Sequence, residues 1–158
     1  YCPGDKEKKG IREAMKANPK VQIVAVEDGR WATALSEKIA GQLYARYAAS
    51  GGLDAVYGMA DNQAVAAIRA AEAAGISVGS KPKQLIVVGS NCLKEGIDAI
   101  KAGKLYSSVT QIPSDLGIKT ADTVNDYFSG KKLPKQVLLP TELITKENVA
   151  RWEQKCTY

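Results

Sequence analysis

Three times along this chain an apolar, β-type run ends in small polar residues and passes into a stretch with helical spacing. The runs are LDAVY at 53–57 leading into GMADN, QLIVV at 84–88 leading into GSN, and LYSSV at 105–109 leading into TQIP. Such alternation constrains a chain to an α/β fold in which successive strands lie parallel and helices cover the sheet. Residues just beyond the carboxyl ends of parallel strands converge on one crevice, which is where open α/β sheets bind ligands. Asp61, Asn91 and Gln111 hold those positions and are the first candidate site residues.

The remaining periodicity extends the pattern. Apolar spacing predicts helices over about 6–17, 32–49, 62–74, 93–102 and 116–129, the last capped from Pro113, Ser114 and Asp115. The run KVQIVAV at 20–26 reads as a strand covered on both faces. Short strands are expected at 136–139 and 142–145, with a terminal helix at about 146–154. The expected fold is therefore α/β, a doubly wound parallel sheet with helices on both faces. Such domains normally open with a strand near the middle of the sheet. Here a helix comes first, so residues 1–5 read as the loop leaving a strand that the sequence lacks. A sheet short of a central strand has unpaired edges, and the chain alone is expected to associate or to borrow a strand.

Composition narrows the chemistry. With 158 residues, 45% of them apolar, there is material for about one ordinary core. The formal charge of +5 comes from scattered lysines, with no basic block interleaved with aromatics, so no nucleic-acid partner is expected. No histidine is present, which excludes Ser-His-Asp and Cys-His catalysis and imidazole metal ligands. Cys2, Cys92 and Cys156 lack the clustered spacing of a zinc or redox site, and they allow one disulfide in any of three pairings. Cys2 and Cys92 read as core or surface thiols, and Cys156, beside Trp152, as a candidate tether for the closing segment. Neither GxGxxG nor GxxxxGKS occurs, and no run approaches the roughly 20 apolar residues that span a membrane. No metal, cofactor or catalytic set is expected, and the chain reads as a binding protein rather than an enzyme.

Several motifs, in order, resemble a known family. VVGSN at 87–91, GIDAIKAGK at 96–104, TQIPSDLG at 110–117, DNQAVAAIRAA at 61–71 and PTELITKENV at 140–149 are similar to the second half of the type I periplasmic sugar-binding proteins. These are the ribose-binding-protein group of ABC transporter receptors. The resemblance implies two α/β lobes joined by a three-segment hinge and closing over a sugar. Residues 1–111 would form the carboxy-terminal lobe without its first strand, 112–139 would cross into the amino-terminal lobe, and 140–158 would return. The implied partners are a sugar or related polyol, the membrane permease of an ABC importer and the missing amino-terminal part of the same protein. The implied location is periplasmic, or extracytoplasmic on a membrane anchor. Asp61 matches the family's acidic residue after the third strand, and Gln111 its glutamine before proline at the last hinge crossing. Asn91 stands where the family usually has Asp. Ala60 replaces an expected asparagine, Thr33 stands where an arginine commonly clamps the ligand, and Cys92 replaces a common glycine. Arg30 is positioned to supply the missing guanidinium. The ligand-sensing core of a LacI-type transcription repressor shares the fold and much of the motif order, but the closing PTELITKENV and the cysteines favour the transport receptor.

The residues fit that chemistry on their own terms. Each hydroxyl of a polyol both donates and accepts, so a site needs carboxylates and amides in mixture. Asp61, Asn91 and Gln111 offer it, and Trp31 offers an apolar face for the C–H side of a sugar ring. Asp61 and Asn91 are equally suited to capping the helices that follow them, and Trp31 to packing on the long helix.

Overall fold

The computed structural model describes residues 3–158. Cys2 lies outside the described residues. The chain forms helix α1 (Pro3–Ala17), α2 (Thr33–Tyr47), strand β1 (Ala55–Tyr57), α3 (Asp61–Ala73), β2 (Ile86–Val88), α4 (Lys94–Lys101), β3 (Ser107–Val109), α5 (Pro113–Phe128) and β4 (Leu143–Thr145). The sheet runs in the order β1-β2-β3-β4. Its first three strands are parallel and β4 returns antiparallel to β3.

The parallel part follows from the sequence pattern. Each strand is fed back into the sheet by a helix, as parallel pairing requires. Helix α3 packs on β1 and β2, α4 packs on β3, and α2 lies against α3. The alanine-rich face of α3 lets these layers approach closely: Ala64, Ala66, Ala67, Ala70 and Ala71 are all buried. The Tyr44 phenol donates to the Ala67 carbonyl at 3.0 Å and pins α2 to α3, and burial pushes its pKa up to about 12. Val87, Ile97, Ile100, Leu105 and Ile144 form the centre of the core with at most 2% exposure each. Each such side chain contributes about 1.5–3 kcal/mol relative to an exposed one.

Four expectations are corrected. Residues 20–26 are not a strand: the segment is irregular, no described strand shares a ladder with it, and Val21, Ile23, Val24 and Val26 are all exposed. Its apolar sequence suits a covered strand, but a strand exists only where a neighbour takes its hydrogen bonds. Residues 136–139 are likewise unpaired, with Leu138 80% exposed. Helix α5 starts earlier than expected, with Ile112 as N-cap in extended conformation and Pro113 in the first turn. Proline forces its predecessor out of the helical region and is preorganised for the first helical position. The expected terminal helix is only a 3-10 turn, Val149–Arg151. There the Asn148 side chain accepts from Thr145 N–H at 2.8 Å and donates to the Leu143 carbonyl at 2.9 Å, folding the chain back directly after β4.

Helix α5 has no buried residue. Leu116, Ile118, Val124, Tyr127 and Phe128 are exposed, Phe128 by 83%. It leaves the sheet from the end of β3 and the chain returns as β4 at the same edge, where Thr110 binds Glu142 twice. Thr110 N–H donates to the Glu142 carbonyl at 2.9 Å, and Glu142 N–H donates to the Thr110 hydroxyl at 2.8 Å.

Candidate functional site

The sequence places small polar residues after each strand, and the fold gathers them at the carboxyl end of the sheet. Asp61 is the centre of this end, although not at its surface. Its side chain is fully buried. The Ser108 hydroxyl approaches its two carboxylate oxygens at 2.7 and 3.0 Å, and Leu93 N–H donates to Oδ2 at 2.8 Å. Its backbone N–H is shared between the Ser90 carbonyl at 2.8 Å and Asn91 Oδ1 at 3.1 Å. Burial raises the carboxyl pKa to about 6 despite the lowering effect of the Ser108 and Leu93 bonds, and the charge of Glu95 adds a smaller push in the same direction. Asp61 is the first residue of α3 with Ala60 as N-cap, so its carboxylate caps nothing in its own helix. It ties the loop between β2 and α4 to β3.

Two glycines make this burial feasible. A Cβ on Gly96 would fall 2.7 Å from the Asp61 Cβ, and one on Gly89 would lie 3.4 Å from the Ala64 Cβ and closer still to the carboxylate. The loop held by Asp61 is conformationally unusual: Asn91 and Cys92 adopt φ of +82° and +61°. Asparagine tolerates the left-handed region, but cysteine does so at a cost of about 1–3 kcal/mol. Cys92 is kept there by its N–H bond to Ser108 Oγ at 3.3 Å and by a disulfide to Cys156, the two Cα atoms 5.3 Å apart. Cys92 is thus not a free thiol, and the tether expected for Cys156 ends on it.

Asn91 reaches both of its strand neighbours. Its side chain accepts from Asp61 N–H, and its own N–H donates to the Val109 carbonyl at 3.1 Å. Gln111 is exposed. The two are linked by Tyr158, whose phenol reaches the Asn91 carbonyl at 2.6 Å and also contacts the Gln111 carbonyl. Partial burial and the negative charge of Asp61 push the Tyr158 pKa up and keep the phenol a donor. The loop carrying Arg30 and Trp31 arrives at the same end through Asn62, the second residue of α3. Asn62 Nδ2 donates to the Trp31 carbonyl at 3.3 Å and to the Thr33 hydroxyl at 3.1 Å. Arg30 and Trp31 are consecutive left-handed residues with φ of +49° and +58°, Arg30 N–H resting on the Asp28 carboxylate at 2.8 Å. Both side chains are exposed, Trp31 by 51%.

The structure thus brings Asn91, Gln111 and the Arg30–Trp31 loop to one end of the sheet, with Asp61 beneath them. Sequence reasoning missed Ser108, Gly89, Gly96, Asn62 and Tyr158. Ser108 had a signal, as one of two adjacent serines inside the β-type run LYSSV. Gly96 had another, a glycine inside a helical pattern where alanine would be favoured by about 1 kcal/mol.

The strand ends of this sheet thus carry the half-buried Asn91, the exposed Gln111, Arg30 and Trp31, and the buried Asp61 carboxylate, at the place where open α/β sheets bind ligands. Residues 5–132 match the family model for the periplasmic binding protein domain, and the chain belongs to that family. It is 28% identical over 95 residues to the ribose import binding protein RbsB of Escherichia coli, spanning 60% of this chain and 30% of that protein. It is 31% identical over 102 residues to a putative rhizopine-binding protein of Rhizobium meliloti, spanning 65% and 32%. The fold superposes with a TM-score of 0.81 on an ABC transporter periplasmic solute binding protein from Actinobacillus succinogenes with bound D-allose, at 20% identity, over 94% of this chain and 50% of that one. The chain thus spans about a third of the curated relatives' length in sequence and half of that solved structure.

Proposed function

We propose that this chain is the carboxy-terminal lobe, with the final hinge crossing, of a receptor that captures a sugar or related polyol between two lobes and delivers it to the membrane permease of an ABC importer. The observation that carries this reading is the convergence of Asn91, Gln111 and the Arg30–Trp31 loop on one end of a sheet of the periplasmic-binding type. The side-chain amides of Asn91 and Gln111 both donate and accept, as a polyol hydroxyl requires. Arg30 adds donors and Trp31 an exposed apolar face. Asp61 has no exposed surface, so it acts by fixing the Asn91 loop rather than by touching the ligand.

In this reading residues 1–111 form the lobe, 112–139 cross to the amino-terminal lobe and 140–158 return. The bare apolar side of α5 supports that division, because a helix with Leu116, Ile118 and Phe128 in solvent is built to be covered elsewhere. The relatives' names, a ribose import binding protein and a putative rhizopine-binding protein, favour a transport receptor over a repressor core, and membership of the periplasmic binding protein family favours a location outside the cytoplasmic membrane. In this reading the site holds and releases its ligand without chemistry: the chain has no histidine to serve as acid or base there, and the Asp61 carboxylate is sequestered on Ser108.

The test is thermal-shift screening of the intact receptor against D-ribose, D-allose and myo-inositol. A ligand at a hundredfold its Kd stabilises the folded state by about 2.7 kcal/mol. Asn91→Ala and Gln111→Ala should each abolish or weaken the shift, while the surface control Lys38→Ala leaves it intact. If both site variants respond like the parent, these residues do not form the site.

A further inference from the structure

After β4 and the 3-10 turn the chain runs along α4, with Trp152 and Cys156 buried, and reaches the strand ends. Lys94 N–H, at the start of α4, donates to the Tyr158 carbonyl at 3.2 Å. The Tyr158 phenol lies against the carbonyl oxygens of Asn91 and Gln111, and the residue stays 45% exposed. Two segments separated by 20 residues in sequence, one after β2 and one after β3, are therefore bridged by a single side chain that arrives from a third.

The hydrogen-bond arithmetic of that bridge is incomplete. A phenol has one proton, so it satisfies one carbonyl at a time. The other carbonyl, and the lone pairs of the phenol oxygen itself, are left to an outside group with a hydroxyl. Water meets that need in the open site, and so does a polyol hydroxyl arriving in the crevice. The ring beside it offers apolar surface of the kind that packs on the C–H face of a sugar. A residue needed only to fasten this segment would not have to stand there, since the Cys92–Cys156 disulfide and the Lys94 bond already hold it.

We propose that Tyr158 is a ligand-contacting, specificity-determining residue, presented to the crevice by the Cys92–Cys156 disulfide, and that its phenol together with the Asn91 and Gln111 carbonyls recognises one hydroxyl of the bound sugar or polyol. The proposal rests on the receptor reading above. It adds a recognition element that belongs to neither the side-chain amides nor the Trp31 loop. It also gives the disulfide a function, because the bond joins the loop bearing Asn91 directly to the segment bearing Tyr158.

The experiment is calorimetric titration of the intact receptor with D-ribose, D-allose and myo-inositol, and then with monodeoxy analogues of whichever binds tightest. Tyr158→Phe should weaken that compound by about fivefold to tenfold, the loss expected for one neutral hydrogen bond. It should leave the affinity for one particular deoxy analogue unchanged within about twofold, since contacting partners couple in a double-variant cycle. The ligand-free melting temperature should stay at the parent value. Replacing both Cys92 and Cys156 by serine should reproduce the loss of selectivity, even where the fold is somewhat weakened. The proposal falls if Tyr158→Phe binds all three probes like the parent while Gln111→Ala does not. It falls equally if the variant loses affinity uniformly across the sugar and every deoxy analogue, which is the signature of a structural residue. If the parent binds none of the three probes, the receptor reading falls and takes this one with it.

Discussion

Asp61 carries its charge into a place where the protein must hold it with hydrogen bonds alone. Burial raises its pKa from 3.8 to about 6. Between those values the folded chain keeps a proton that the unfolded chain has released, so stability falls as pH rises through that window, by about 3 kcal/mol in all. Calorimetric melting across the same window should show the parent losing stability toward neutral pH and Asp61→Asn showing a flatter profile. An unchanged slope in the variant would place the titrating group elsewhere. Gly96 allows a second test at this scale, because propensity and packing oppose each other there. Alanine gains about 1 kcal/mol in a helix, but its methyl would meet the Asp61 side chain, and overpacking of that kind costs about 1–3 kcal/mol. Gly96→Ala should therefore lower the melting temperature in the parent and raise it in an Asp61→Ala background. A stabilised Gly96→Ala in the parent would show that Asp61 is not wedged against α4. The buried position of Asp61 was not legible in sequence. Its motif fitted a surface ligand as well as an interior tie, and only Ser108, 47 residues away, distinguishes the two.

The element most dependent on a single bond is the segment after β4. Its 3-10 turn is short, and Trp152 is buried with its indole N–H unpartnered while Arg151 and Lys155 lie over the ring at 4.8 and 5.6 Å. The disulfide closes a separation of 64 residues, and bonds of that span typically contribute about 2–4 kcal/mol. Reduction of the disulfide, or Cys156→Ser, should lower the unfolding free energy by about that amount, and with it the denaturation midpoint, without changing helix content. A midpoint that does not move would mean that the Trp152 packing alone secures the segment. The other exceptional elements are α5, which reads only as a helix, and the 20–26 segment, which reads as a covered strand, and the apolar residues of both stand in solvent. Their failure to join this core has the same cause in both. Periodicity reports that a face is apolar, whereas what covers it is decided by neighbours distant in sequence.

At the scale of the whole molecule, the sheet ends at β1 and β4 among the described residues, and apolar side chains stand in solvent from Val21 to Val26 and along α5. Exposed edges and apolar patches of this kind drive association. These 158 residues alone should sediment as dimers or larger species at micromolar concentration, and Leu116→Glu with Phe128→Glu should shift them toward monomer. A monodisperse monomer without substitutions would count against that picture. The sequence by itself determined the alternation of strand and helix, the parallel arrangement of β1 to β3 and the strand ends at which the candidate site lies. Those follow from local periodicity and from the short reach of the connections. Only the tertiary structure decided that Asp61 turns inward on Ser108, that Cys92 pairs with Cys156, that Tyr158 stands between Asn91 and Gln111, and that 20–26 is no strand. Each of these depends on groups far apart in the chain meeting in space, and a hydrogen bond, a disulfide or a ladder exists only when both partners arrive.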